Sequence, residues 1–95
     1  MNDQPTVGTI FEQPGFRGEV IGFVSGLMVI EGRLEGTLPA HASENDEFAF
    51  VLEGEIMVTI DGRHSRLGAG QSIFVPGRTM HEVVAVHPAK LLLIG

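Results

Sequence analysis

Glu47-Phe48-Ala49-Phe50-Val51-Leu52-Glu53-Gly54-Glu55-Ile56-Met57-Val58-Thr59-Ile60-Asp61-Gly62 is the stretch on which the fold turns. Its apolar residues fall into two runs, Phe48 to Leu52 and Ile56 to Ile60, and Glu53-Gly54-Glu55 breaks one from the next. β-Branched and aromatic residues in short runs suit a pleated, half-buried surface. In the first run Phe48, Phe50 and Leu52 point to one face, and Glu47, Ala49 and Val51 to the other. Both faces are largely apolar. One of them meets a core, so the other needs a further strand, a covering segment or a second subunit. Asp61-Gly62 ends the stretch as a two-residue hairpin, because a type I′ turn needs positive φ at both central residues.

The same grammar extends outward. Further short runs are Val20-Ile21, Phe23-Val24, Leu27 to Ile30, Ile73 to Val75 and Val83 to Val86. Gly68-Ala69-Gly70 opens the strand that Pro76-Gly77 ends, and Gln13-Pro14-Gly15-Phe16 reads as a turn. Glycines recur along most of the chain, and each interior glycine costs a helix about 1 kcal/mol against alanine. Many short strands and no helix predict an all-β sandwich or barrel. Residues 1–18 are expected to be an N-terminal arm or edge strand, and residues 19–95 the barrel. Leu91 to Ile94 shows no alternation, as for a strand buried on both sides or a dimer edge.

Composition narrows the function. A chain of 95 residues with no cysteine has no disulfides, no thiolate metal ligands and no cysteine nucleophile. Six basic and 12 acidic residues leave a formal net charge of −6, which repels phosphate backbones, so no nucleic-acid partner is expected. No apolar run reaches membrane-spanning length, and Met1 to Pro5 does not open a signal peptide; a cytoplasmic protein with no membrane partner is expected. Plentiful apolar residues on so short a chain point to a homodimer. Lys90 is the only lysine, and no phosphate-binding loop is present.

Few ionisable residues sit inside the strand pattern. His41 and Ser43 are two apart at a strand end, Glu44-Asn45-Asp46 is a polar turn, and Glu47 opens the next strand, expected beside the one just left. His81 follows the Pro76-Gly77 turn and reaches the same point from a third strand. Two imidazoles and one carboxylate with open positions suit a catalytic zinc or a facial-triad iron site. By spacing alone, His41 and Glu47 are more often turn and surface residues. His64 belongs to a hairpin tip, and His87 lies about 20 Å along the strand from His81 at 3.4 Å per residue. Arg33 is either at a strand end or inward, where it would hold an anionic substrate. Phe50, Met57, Phe74 and Met80 are candidates to line a pocket, with core packing the plainer role for Phe50 and Phe74. Arg78 stands by the mouth of the site.

The pattern resembles the cupins, the RmlC-like small barrels. Gly36 is followed by His41-Ala42-Ser43, then Glu47 after three residues and Gly54 after six more. Gly70 is followed by Pro76 after five residues, with His81 five beyond it, and 15 residues separate Gly54 from Gly70. The resemblance covers residues 36 to 81 and implies a single-domain double-stranded β-helix, or jelly roll. It maps His41, Glu47 and His81 onto metal ligands for a divalent ion such as zinc, iron, manganese or nickel. Three positions depart from the family pattern. Ser43 stands where a second motif histidine is expected, Ala85 where an asparagine is, and Arg78 where a glycine is, with Gly77 the neighbouring candidate to compensate. The resemblance implies either a metal-dependent enzyme (dioxygenase, isomerase or lyase) acting on a small polar molecule, or a non-catalytic small-molecule-binding or sensory module with Ser43 at a reduced metal site.

Overall fold

The computed structural model describes residues 5–95. Eight strands follow one another: β1 (Ile10–Gln13), β2 (Phe16–Val24), β3 (Leu27–Leu34), β4 (Thr37–His41), β5 (Glu47–Ile60), β6 (Arg63–Gly68), β7 (Ser72–Val75) and β8 (His81–Ile94). Among the described residues no helix is long and apolar enough to cross a membrane. All pairings are antiparallel, in the order β1-β2-β3-β8-β5-β6, with β4 also on β8 and β7 also on β5.

The two long strands make the barrel. The first part of β8 pairs with β4 on one side and with the end of β5 on the other; its second part pairs with β3 and with the start of β5. β5 and β8 therefore run through both layers of a jelly roll. They turn the corner together, where the β5–β8 register shifts around Glu53 and Glu55. Glu53-Gly54-Glu55 is thus a bulge inside one 14-residue strand and does not end it. Gly54 has φ 83°, and a Cβ there would lie 2.2 Å from the Pro88 carbonyl oxygen, so only glycine fits the close approach of the two strands.

The bulge also changes which residues face inward. Val51 pairs with Leu91, and Ile56 with Ala85. The inner face of β5 is therefore Glu47, Ala49 and Val51 before the corner, then Ile56, Val58 and Ile60 after it. Val51, Ile56 and Val58 meet Phe16, Leu34, Leu38, Leu67, Ala89 and Leu91 in one core cluster, with Ile60 packed against it. Each fully buried aliphatic side chain of this kind contributes about 1.5–3 kcal/mol relative to exposure.

Three further points differ from the sequence reading or add to it. β4 does not pair with β5: both flank β8, which separates them. Leu91 to Ile94 is no edge, because β3 and β5 cover β8 on its two sides. Asp61-Gly62 makes the expected turn, with φ 48° and 79°, and Ser25-Gly26, φ 49° and 76°, makes the same turn between β2 and β3.

Candidate metal centre

His41 is the last residue of β4, Glu47 the first of β5 and His81 the first of β8. Three strand ends meet at one mouth of the barrel. The β4–β8 register sets His41 opposite His81, with ring centroids 4.3 Å apart and planes tilted by 56°. Glu47 pairs with Val75 on β7, the strand whose following turn delivers His81. One ligand atom from each of the three side chains lies within 4.8 Å of the others. His41 is exposed, Glu47 half-buried and His81 buried, so the group is open to solvent on the His41 side.

Each imidazole is held by the same local device. His41 Nδ1 lies 2.8 Å from the Pro39 carbonyl oxygen, and His81 Nδ1 lies 3.0 Å from that of Thr79. A carbonyl only accepts, so each Nδ1 carries the hydrogen and donates it. That fixes the tautomer and leaves each Nε2 with a free lone pair. Ser43 Oγ donates a hydrogen bond to Glu47 Oε1. Ser43 therefore orients the carboxylate.

The connecting turns are locked to each other. Arg78 N–H donates to the Ser43 carbonyl oxygen at 2.6 Å, and Gly77 N–H to Asp46 Oδ1 at 2.8 Å. The loop that carries Ser43 and leads into Glu47 is thereby tied to the turn that leads into His81. Asp46 was legible in the sequence only as part of a polar turn; its acceptor role depends on a partner 31 residues away. Gly77 does not relieve the backbone at Arg78. Arg78 itself takes the left-handed conformation, φ 60°, which is why a glycine suits that position. Gly77 matters for space, since a Cβ there would lie 2.7 Å from the Glu44 carbonyl oxygen.

The other sequence candidates lie elsewhere. Phe50 and Phe74 sit on the outer face of the sheet: Phe50 is paired with Ser72 and Leu92, and Phe74 is 55% exposed. Met57 pairs with Arg66 and Val84, one residue out of phase with the inward Ile56 and Val58, so it too faces outward. Met80 is exposed and lines a surface hollow with Asp61, Glu82 and the candidate ligand His81. The Arg78 side chain is in solvent, 3.9 Å from Glu44. Arg33 lies on the outer face, opposite Arg17 and Lys90, and does not point inward. His64 bonds Thr59 and His87 lies near Glu55, both away from the centre.

The three side chains line one part of a small, partly enclosed hollow of about 50 Å³, walled otherwise by Ala49, Ile56, Val58, Ile73 and Leu91 among others. Above Glu47 opens a cleft of about 290 Å³ that Ser43 and Glu47 also line. The donor set (two neutral imidazoles and one oriented carboxylate) fits a divalent first-row metal, whose ligands are imidazole nitrogen and carboxylate oxygen.

An antiparallel jelly roll with this donor group at one mouth defines a class, the small β-barrel proteins with a candidate metal centre. The chain belongs to the cupin family, whose cupin-domain profile matches residues 26–95. Among solved structures it is similar to an RmlC-like cupin from Shewanella frigidimarina NCIMB 400, at 29% identity and a TM-score of 0.81, covering 92% of this chain and 81% of that one. It is also similar to KdgF from Halomonas sp., at 26% identity and a TM-score of 0.78, covering 90% and 82%. Hydroxypropylphosphonic acid epoxidase from S. wedmorenis shares the fold at 21% identity and a TM-score of 0.79, covering 92% of this chain and 54% of that one. No curated protein matches the chain.

Proposed function

We propose that this cupin binds one divalent metal ion, zinc, iron, manganese or nickel, through His41, Glu47 and His81, and uses it on a small polar molecule. The observation that carries the reading is the pair of imidazoles fixed at Nδ1 by Pro39 and Thr79, each with Nε2 free, in a group where one ligand atom of His41, Glu47 and His81 lies within 4.8 Å of the others. A metal bound there would supply Lewis-acid polarisation of a carbonyl or a site for dioxygen, as in dioxygenase, isomerase or lyase chemistry. His41 and His81 hold the ion, and Glu47 balances one of its charges. Ser43 keeps Glu47 in place by its hydrogen bond, and Glu47, if released from the ion, is the group able to accept a proton from a molecule seated in the cleft.

A non-catalytic binding module is the second reading. The size of the small hollow favours it, since about 50 Å³ admits only water-sized groups and confines any larger ligand to the open cleft. Metal content per chain decides the first point. Protein purified without chelator is expected to carry close to one equivalent, lost in His41→Ala, Glu47→Ala and His81→Ala. Less than about a tenth of an equivalent, unchanged by the variants and not restored by added metal, would sink the metal reading. Turnover that dies with each ligand then separates enzyme from binding module.

The homodimer also belongs to this proposal. Ile94, Phe48 and Phe74 form one outward apolar row across three adjacent strands. A net charge of −6 disfavours association of two copies elsewhere, so an apolar, self-complementary row is where a second copy would sit. Sedimentation is expected to give a dimer that Phe48→Glu converts to a monomer; a monomeric wild type would refute it.

A further inference from the structure

The charges around the mouth are one-sided. The chain has six lysine and arginine residues. Arg17 pairs with Glu12, and Lys90 with Glu31, on the outer face. Arg33 lies between them in register, also outward. Arg63 and Arg66 are exposed on β6, where Arg66 pairs with Glu55. Arg78 alone is near the site, and its guanidinium is 83% exposed and turned to Glu44 on the rim. Among the described residues no lysine or arginine lines either the small hollow or the cleft above Glu47.

The cleft has two kinds of wall. Met28, Ile30 and Leu93 make an apolar side from β3 and β8, while Ser43, Glu44 and Asn45 make a polar side from the β4–β5 loop. Glu47 belongs both to this cleft and to the small hollow, so the cleft leads straight to the candidate metal centre.

We infer that the cleft selects small molecules that carry a metal-binding head and a short aliphatic body, uncharged or cationic at the far end, and that it discriminates against anionic bodies. The inference rests on the metal reading above. A divalent ion held by two neutral imidazoles and one carboxylate retains one uncompensated positive charge, which suits a singly anionic head group. Beyond that head, an anion meets Met28, Ile30 and Leu93 or the Glu44 carboxylate, and only the neutral Ser43 and Asn45 side chains are there to replace part of its hydration. An aliphatic body gains from the same wall, and a terminal ammonium gains from Glu44. Phosphomonoesters, phosphonates and dicarboxylates are therefore poor ligands, and amine- or alkyl-bearing chelators are good ones.

The test uses the cobalt(II)-loaded protein and three probes with one head group: hexanohydroxamate, 6-aminohexanohydroxamate and adipic monohydroxamate. Dissociation constants are read from the visible cobalt spectrum at low ionic strength. The alkyl and amino probes are expected to bind about tenfold or more tighter than the carboxylate probe, a range that rim charges and specific repulsion reach. Glu44→Gln, an exposed change, is expected to narrow the amino-to-carboxylate ratio several-fold, and Met28→Arg to invert the order of alkyl and carboxylate probes. Equal or tighter binding of adipic monohydroxamate to the wild type would overturn the inference while leaving the metal site standing. Failure to take up cobalt would instead overturn the metal reading, and this inference with it.

Discussion

Gly54→Ala tests the corner that gives the barrel its two layers. The new methyl would sit 2.2 Å from the Pro88 carbonyl oxygen, 2.8 Å from Ala89 Cα and 2.9 Å from the Pro88 carbonyl carbon. Nonbonded atoms rest near 3.5 Å, so β5 and β8 must part by roughly 1 Å. These neighbours are backbone atoms and cannot rotate away. Overpacking of this kind costs about 1–3 kcal/mol. The left-handed backbone at φ 83° adds about 1–2 kcal/mol for an L-residue, offset by about 0.4–1 kcal/mol from the stiffer unfolded chain. The net loss is about 2–4 kcal/mol, against a total stability of about 5–14 kcal/mol for a domain of this length. Urea denaturation reads it as a fall in midpoint of about 1–2 M at an m-value near 2 kcal/mol/M. Gly62→Ala is the control: its φ is 79°, and nothing lies within 4 Å of the added Cβ. It carries the backbone cost without the collision, about 1 kcal/mol. If the two variants lose the same stability within about 0.5 kcal/mol, the close approach at the corner is not what constrains Gly54.

The remaining predictions concern the mouth and the surface. Arg78→Gly relieves a left-handed residue at φ 60° and sacrifices only a solvent-exposed ion pair; thermal melts are expected to show a gain of about 0–1 kcal/mol, and a clear loss would refute the backbone argument. Ser43→Ala frees the Glu47 carboxylate and is expected to weaken metal binding about tenfold in chelator competition, as removal of outer-shell partners does, with Ser43→Thr recovering most of it. The Arg66 side-chain hydrogen bond, aided by the Arg66 and His87 charges, holds the Glu55 carboxyl below the usual carboxylate range. Its contribution to stability is therefore present above the unfolded carboxyl's pKa and lost as pH falls through the lowered folded value; Glu55→Gln is expected to flatten the acid limb of the stability profile, and an unchanged limb would refute the linkage.

Much of this was legible because local chemistry decided it. Asp61-Gly62 needs positive φ twice and makes its turn whatever surrounds it. Ser25-Gly26 carried the same signal more weakly and was passed over. The three candidate ligands were legible as strand-end residues and by resemblance, and the register brings them together. What the sequence hid was non-local. Glu53-Gly54-Glu55 reads alike as a turn or a bulge, and only the arrival of β8 alongside makes it a bulge. The same shift moved Met57 to the outer face, because the change of phase at Gly54 cannot be seen by counting alternate residues. For Phe50 the alternation itself sets the side chain opposite Glu47, and the outer face is where it lies. The β4–β5 hairpin failed for the related reason that neighbours in sequence need not be neighbours in a sheet, and here β8 comes between them.

That position of β8 governs the order in which the molecule can assemble. Val29 waits for Ile94, Thr37 for Val84 and Val51 for Leu91. While the chain is being synthesised, β3 and β4 have emerged long before the strand that joins them to β5. Until then their unpaired edges and apolar inner faces stand open, with only the β1–β2–β3 and β5–β6–β7 pairings to occupy them. Topologies that depend on such distant pairings fold slowly and expose sticky intermediates. His81, arriving at the head of β8, joins His41 and Glu47 in the same event that closes the barrel. The candidate metal-binding group is thus absent from every partly made chain and comes into being only with the finished fold.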